Sequence, residues 1–256
     1  MSASDKYYIG IDPFAMKGSY TYSILDEDCK LIQMDESELS DLISLIPAGN
    51  QIYVAVNGPQ KPNLGLVRRE LKLQGLLPGQ MRGGDIRLAE KQIRELGIPI
   101  STTPSRLEIC SQWMHLSFRI FKELENLGFN SFPKKDSHRL MIETNADAFF
   151  YLQLNQKPLP KSTLEGILQR QLTLFDSGVG IINPMRFFEE ITRHKLLQGL
   201  LPKEILYSPE QLDAISAAYS AFLVSRQPDC VKQVGSLEEG IIMIPKQDKN
   251  SLSITT

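Results

Sequence analysis

The sequence predicts an α/β fold in which a mixed sheet is flanked by helices. Short apolar runs rich in β-branched and aromatic residues alternate with amphipathic stretches at helical spacing. Two of the early runs flank a tight turn, which predicts an antiparallel hairpin. The later runs are separated by long helical stretches, which predicts parallel crossovers.

The first quarter of the chain supplies four predicted strands and one helix. Asp26-Glu27-Asp28 resembles a turn between the second and third strands. Apolar residues at helical spacing predict a helix over 36–46, and Pro47 ends it. The predicted strands are residues 7–12, 20–25, 29–34 and 51–56.

The rest of the chain is mainly helical, with two further strands predicted over 139–143 and 240–244. Ser208 begins the last helix as part of a capping box. The apolar side of helix 105–127, which includes Trp113, is interpreted as core packing. The predicted helices cover 66–73, 86–96, 105–127, 163–177, 184–200 and stretches from Asn145 and Ser208. Residues 1–245 are predicted to form one domain, and the polar tail 246–256 is predicted to be disordered.

The composition is that of a soluble globular protein, with 42% hydrophobic and 23% charged residues. No apolar stretch approaches the roughly 18 residues that a membrane span needs. The first residues lack the basic and apolar regions of a signal peptide, so a cytoplasmic protein that does not enter a membrane is expected. Cys29, Cys110 and Cys230 show no metal-ligand spacing and are interpreted as free thiols.

The net charge of −2 is unevenly distributed along the chain. Residues 1–60 carry a net charge of −6, whereas residues 61–94 carry a net charge of +5. Two interpretations of the basic stretch remain open. It is either a surface that holds a polyanion or a solvated helix face with internal ion pairs.

Three acidic residues lie where predicted elements end or begin. Asp12 closes the first strand, Glu143 closes the strand over 139–143, and Asp213 lies one turn into the last helix. The crevice of an α/β sheet opens at the carboxyl ends of its strands, so these residues are expected to cluster there. Such oxygen ligands favour Mg²⁺ or Mn²⁺. The fourth strand ends in Asn57, where another acid would fit the pattern.

Each of these residues also has a purely structural interpretation. Asp12 could form a turn by accepting hydrogen bonds from nearby backbone groups. Glu143 and Asp213 could be stabilised by the amino-terminal dipoles of adjacent helices. Asn57, which precedes Gly58-Pro59, could be a turn residue.

The order of the predicted elements along the chain, a strand, an antiparallel hairpin and then strands separated by helices, is that of the ribonuclease H-like fold. Several blocks spread over residues 7–245 carry a more specific resemblance. These are Ile9-Gly10-Ile11-Asp12, Val54-Ala55-Val56-Asn57-Gly58-Pro59, Arg82…Arg87…Glu90, Trp113, Met141-Ile142-Glu143-Thr144-Asn145-Ala146, Leu212-Asp213-Ala214 and Glu239-Gly240-Ile241-Ile242. With these blocks, the chain resembles the domain-of-unknown-function family 429, a set of predicted ribonuclease H-like nucleases.

The resemblance implies a five-stranded mixed sheet in the order 3-2-1-4-5 and a nuclease that hydrolyses phosphodiester bonds with Mg²⁺ or Mn²⁺. The implied metal ligands are Asp12, Glu143 and Asp213, and Asn57 completes the catalytic set. The implied contacts to nucleic acid, either DNA or RNA, are Arg68, Arg69, Arg87 and Lys17. Family members usually carry aspartate at the position of Asn57, so a weaker metal site is expected here.

Two other functions remain open. The chain could be a non-catalytic relative, weakened at Asn57, that binds nucleic acid or another partner. It could also be a phosphotransferase resembling sugar kinases or acetate kinase, which share the strand order and an aspartate on the first strand. That class needs two such domains, and 256 residues leave no room for a second sheet.

Overall fold

The computed structural model describes residues 6–13, 19–46, 51–75, 84–134 and 137–247. Lys17, a predicted nucleic-acid contact, lies outside these residues, as does the predicted disordered tail from residue 248 onward.

In the described residues, eight strands form one mixed sheet. The strands are β1 (Lys6–Asp12), β2 (Ser19–Leu25), β3 (Leu31–Glu38), β4 (Gln51–Asn57), β5 (Asn130–Ser131), β6 (Arg139–Thr144), β7 (Val231–Ser236) and β8 (Gly240–Pro245). Their order is β3-β2-β1-β4-β6-β8-β7, with the short β5 paired to β6. The strands β1, β4, β6 and β8 are parallel neighbours, whereas β2, β3 and β7 run antiparallel to their partners.

The described helices cover both faces of the sheet. They are α1 (Leu42–Leu45), α2 (Leu66–Leu73), α3 (Leu88–Glu95), α4 (Gln112–Asn126), α5 (Ala146–Leu154), α6 (Leu164–Asp176), α7 (Arg186–Glu190), α8 (Arg193–Leu197) and α9 (Pro209–Arg226). One core layer lies between the sheet and α4, and a second lies between the sheet and α5, α6 and α9. None of the helices in the described ranges is long and apolar enough to cross a membrane.

Side-chain alternation along β1 assigns its residues to the two layers. Ile9 and Ile11 pack in the α4 layer, whereas Tyr8 packs in the α9 layer. Gly10 also lies under α9, because a Cβ atom there would be 1.9 Å from the carbonyl oxygen of Ala214. Since side chains alternate along a strand, the next residue on the α9 side is Asp12.

The close approach at Gly10 positions the last helix. The face of α9 on the sheet is built from small residues, including Ala214, Ala217 and Ala218, all fully buried. A Cβ atom at Gly10 would also lie 2.3 Å from the backbone nitrogen of Ala218, so a larger residue would push the helix away. This packing sets Asp213 beside the carboxyl end of β1.

The α/β class is confirmed, and the predicted sheet is too small. The predicted strands lie in the predicted order, as β3-β2-β1-β4-β6, and the sheet then continues through β8 and β7. Strand β7 has the sequence Val-Lys-Gln-Val-Gly-Ser, whose weak apolar alternation gives little strand signal. The predicted helix over 184–200 is divided into α7 and α8, because Thr192 adopts an extended backbone and caps α8.

Candidate functional site

A cleft of about 250 Å³ lies at the carboxyl ends of β1, β4 and β6. All four residues of the predicted catalytic set, Asp12, Asn57, Glu143 and Asp213, line it. The structure divides these four residues into two groups, which lie in different environments.

Asp12 and Asp213 form a buried pair of acids. They are 6% and 1% exposed, so little water screens the electrostatic interaction between their carboxylates. Burial, followed by the charge of Asp213, holds the pKa of Asp12 well above its usual value. Burial also raises the pKa of Asp213 from 3.8 to about 6, against the opposing effect of Lys161. Two acids in this state favour a bound cation or a proton.

Asn57 connects Asp12 to helix α5. Its side-chain nitrogen donates a 2.7 Å hydrogen bond to Oδ1 of Asp12, and its side-chain oxygen accepts a 2.8 Å bond from the backbone N–H of Ala146. Asn57 is therefore more than a turn residue, since it orients the Asp12 carboxylate. The amide supplies a donor here, which a carboxylate could not do.

Lys161 supplies a positive charge to the acidic pair. Its ammonium group donates a 2.8 Å hydrogen bond to Oδ2 of Asp213, and its side chain is 44% exposed whereas that of Asp213 is 2% exposed. Burial lowers the pKa of Lys161, but the charge and hydrogen bond of Asp213 outweigh this effect and leave the pKa raised. The lysine is therefore a charged counter-ion for a buried acid.

Glu143 does not join this pair, and the predicted three-carboxylate site is corrected. Along β6, Met141 packs in the α4 layer and Ile142 in the α9 layer, so alternation directs Glu143 away from the face that Asp12 and Asn57 share. The next residue, Thr144, is on the α9 side, where its hydroxyl donates to Ser220 of α9 at 3.3 Å.

Arg87 is the partner of Glu143, and this corrects its predicted role as a nucleic-acid contact. Arg87 is 1% exposed and donates through both terminal nitrogens to the two oxygens of Glu143. Its Nε donates a 3.0 Å bond to Glu90. Burial lowers the pKa of Arg87, but Glu143 and Glu90 outweigh this effect and raise it. A guanidinium held in this way has no free face for a phosphate group.

The rest of this polar network fixes the wall of the cleft. Glu143 Oε2 also accepts a 2.9 Å bond from the backbone N–H of Gln60. Glu90 accepts a 2.5 Å hydrogen bond from the hydroxyl of Thr103. It also accepts hydrogen bonds from the backbone N–H of Thr103. Because both oxygens of Glu143 already have donors, this carboxylate serves the architecture of the wall.

The fit of the residues to a divalent cation rests on Asp12 and Asp213. Within the described ranges, no group of three or more histidine, cysteine, aspartate or glutamate side chains is placed to hold a metal ion. Oδ1 of Asp213, however, is buried and has no hydrogen-bond partner among the described residues. An unpaired buried carboxylate oxygen is costly, and an oxygen-preferring cation would satisfy it. The two acids therefore fit one such cation, and Glu143 as placed does not contribute.

Two other predicted nucleic-acid contacts, Arg68 and Arg69, do not line the cleft. Arg68 and Arg69 are exposed on α2 and are not among the described residues that line the cleft. Their predicted role stays a prediction. Lys17 lies outside the described residues.

Several cleft residues were missed by the sequence analysis. Lys161 lies between α5 and α6 in a proline-containing segment without a recognisable motif. Asp147, in the first turn of α5, and Trp113 also line the cleft. The sequence predicts a core position for Trp113, but its side chain is partly exposed. The reason is that the helix begins at Gln112, so Trp113 lies in its first turn and not in its middle.

Comparisons with known proteins do not assign the chain to a family. No protein-family model matches it, and no curated protein matches it either.

Proposed function

We propose that this chain is a ribonuclease H-like nuclease, related to the domain-of-unknown-function family 429, that hydrolyses phosphodiester bonds with a divalent cation. Asp12 and Asp213 would hold Mg²⁺ or Mn²⁺ in the cleft. The substrate would be DNA or RNA, whose backbone supplies the phosphate groups.

The direction and order of the central strands support this proposal. In the sheet, the antiparallel strands β3 and β2 lie on one side of the parallel β1-β4-β6 series, which is the arrangement expected of the proposed fold. Open α/β sheets bind ligands at the carboxyl ends of their strands, where this cleft lies. A fold alone does not determine function, so the proposed activity depends on the residues of the cleft.

The observation that carries the proposal is the unsatisfied oxygen of Asp213 beside Asp12. Oδ1 of Asp213 has no hydrogen-bond partner among the described residues, and both Asp12 and Asp213 have a raised pKa. Perturbed acids in a cleft are typical of functional sites. A bound cation supplies Lewis-acid catalysis of phosphoryl transfer.

The chain's own residues have separate roles in this proposal. Asn57 fixes the orientation of Asp12 through its 2.7 Å hydrogen bond. Lys161 places a positive charge at the edge of the cleft, where it attracts the phosphate backbone. Trp113 offers a partly exposed aromatic ring on which a base can stack.

A cleavage assay tests this proposal. Labelled single- and double-stranded DNA and RNA are incubated with the protein and Mn²⁺ or Mg²⁺, and the products are separated by size. We expect cleavage that a chelator stops. Losses above the roughly 10–100-fold typical of outer-shell changes are expected for Asp12→Asn and Asp213→Asn. Asp176→Asn, which changes an exposed acid at the end of α6, is the matched control.

Two outcomes would contradict the proposal. Cleavage that survives the chelator and both aspartate substitutions would identify a contaminating activity. Cleavage that is absent under every condition, with no binding of Mn²⁺ to the parent protein, would exclude a metal-dependent nuclease.

A second candidate function is supported by the wall of the cleft. Glu143 is committed to Arg87, and Asn57 occupies a position where the family carries an acid, so the site has fewer available carboxylates than two-metal chemistry needs. In this second candidate function, the chain would be a non-catalytic protein that binds nucleic acid. Binding of the same probes with no cleavage, unchanged by Asp12→Asn, would favour this function.

A further inference from the structure

Among the lysine ion pairs of the described residues, that of Lys161 is unusual because its acid is almost completely buried. Exposed ion pairs contribute little to the stability of a protein, since water screens both charges. Here the ammonium lies 2.8 Å from Oδ2 of Asp213, whose side chain is 2% exposed. Water therefore screens the pair on the lysine side only. Lys161 is the largest positive influence on Asp213, and Arg170 adds a smaller one.

The segment that carries Lys161 is held firmly against α6. The backbone N–H of Leu159 donates a 2.8 Å bond to the side chain of Gln169, and the carbonyl of Leu159 accepts a 2.7 Å bond from Arg170. The carbonyl of Pro160 accepts a 3.1 Å bond from the backbone N–H of Thr163. These bonds fix the backbone on the amino-terminal side of the lysine and close a turn around it.

Gly166 allows this segment to approach α6. A Cβ atom at Gly166 would lie 1.9 Å from the carbonyl oxygen of Pro160. The helix therefore packs directly on the backbone next to Lys161. A lysine on such a fixed segment loses less conformational freedom when it forms its ion pair than a lysine on an open loop would.

The ammonium and a divalent cation need the same carboxylate. Lys161 holds Oδ2 of Asp213, and its charge also acts on Asp12. These are the two acids that fit a cation, and two cations so close together would repel each other.

Resting on the proposed function, we infer that Lys161 is a built-in counter-ion that a divalent cation must displace from Asp213. The lysine stabilises the metal-free protein and lowers its affinity for the metal. After displacement, the ammonium remains at the edge of the cleft, where it meets the phosphate group of a substrate.

The test is a titration of the metal-free protein with Mn²⁺, in which calorimetry measures the binding affinity. Trp113, the single tryptophan, lies in the cleft and gives a second readout through quenching of its fluorescence. We expect Lys161→Met and Lys161→Gln to bind Mn²⁺ at least about tenfold more tightly than the parent. Changes of this size in metal affinity are typical when a residue next to a metal ligand is substituted. Metal-free Lys161→Met should melt at a lower temperature than the parent.

Three variants control this experiment. Lys161→Arg keeps the charge and should bind Mn²⁺ like the parent. Lys157→Met removes an exposed lysine four residues earlier and should change neither affinity nor melting temperature. Asp213→Asn should abolish binding in the parent and in the Lys161→Met protein.

The outcomes separate this inference from the proposed function. Equal Mn²⁺ affinity in the parent, Lys161→Met and Lys161→Gln would overturn the counter-ion role and leave the metal site standing. Binding to none of these proteins, or binding that survives Asp213→Asn, would overturn the metal site itself and the inference with it.

Discussion

At the scale of single residues, Asp213 makes the stability of the metal-free protein depend on pH. Its pKa is about 6 in the folded protein, against 3.8 as the ordinary value. Between these values the folded state binds a proton that the unfolded state does not, so stability falls as the pH rises from about 4 to 6. The full cost, on the order of 2–3 kcal/mol, is present above pH 6.

In Asp213→Asn this titration is absent. The free energy of unfolding of the variant, minus that of the parent, should therefore rise by about 2 kcal/mol between pH 4 and pH 7. Urea unfolding at several pH values, with a chelator present, measures this change. Asp176→Asn is the control, because this acid is exposed. A stability difference that is the same at every pH would show that Asp213 does not carry the effect. Lys161, Asp147, Arg170 and Asp12 act on the same carboxylate and modify the midpoint of this titration.

Asn57 is the second residue that sets the charge of the cleft. In Asn57→Asp, a carboxylate replaces the donor that lies 2.7 Å from Oδ1 of Asp12, so like charges repel and the metal-free protein should lose about 1–3 kcal/mol. With Mn²⁺ the added charge becomes favourable, and the metal-dependent gain in melting temperature should exceed that of the parent. Thermal melting with and without Mn²⁺ measures both effects.

The exposed Asn126→Asp serves as the control for this substitution. An equal metal-dependent gain in Asn57→Asp and in the parent would place residue 57 outside the metal site and favour the non-catalytic function.

At the scale of elements, the contact between α9 and β1 determines where Asp213 lies. In Gly10→Ala, the new methyl group would overlap the backbone of Ala214 and Ala218, so either the helix or the strand must move. We expect a loss of about 3 kcal/mol or more, at the upper end of the range for overpacking. Chemical unfolding measures the loss, and a weaker response to Mn²⁺ would report the displacement of Asp213.

Gly128→Ala is a matched control for this change. A Cβ atom there would meet nothing within 4 Å in the described residues, although its φ of +84° is unfavourable for alanine. Its cost should therefore be only about 1–2 kcal/mol. A smaller cost for Gly10→Ala than for Gly128→Ala would contradict the packing described for α9.

The central elements, and the placement of Asp12, Asn57 and Asp213 at one edge of the sheet, could be predicted because their signals are local. Apolar runs mark β1, β4 and β6, and Asp12, Asn57 and Asp213 end or begin elements that meet at one edge. The side to which Glu143 points follows from alternation along β6, but only once the layer that holds Met141 is known. Lys161 could not be predicted, since its position depends on how residues 159–163 pack on α6, a contact without a sequence pattern.

At the scale of the whole molecule, Glu239 connects the carboxyl-terminal hairpin to the segment before α2 and to the first residue of α3. Its side chain is 1% exposed and accepts bonds of 2.7 and 2.8 Å from the backbone N–H groups of Leu64 and Leu88. Its carbonyl accepts a 3.3 Å bond from Arg87. The hairpin of β7 and β8 thereby supports the wall of the cleft from outside.

In Glu239→Ala, two buried donors lose their acceptor, so we expect a loss of about 2–4 kcal/mol. Hydrogen exchange should accelerate at Leu64 and Leu88 before it does so in the central strands. Glu238→Ala, which alters the exposed neighbour, should leave both amides protected. Unchanged exchange at Leu64 and Leu88 in Glu239→Ala would show that the hairpin does not support this region.

The position of α9 in the chain has a consequence for synthesis. The strands that it covers, β1, β2 and β4, leave the ribosome before any residue of α9 has been made. Until then Tyr8 and Ala55 lack their largest covering element, and an apolar face of this kind is prone to aggregation. Asp12 must likewise wait about two hundred residues for its partner Asp213. A nascent chain that pauses between α8 and α9 therefore exposes an open sheet, and a chaperone is expected to bind there.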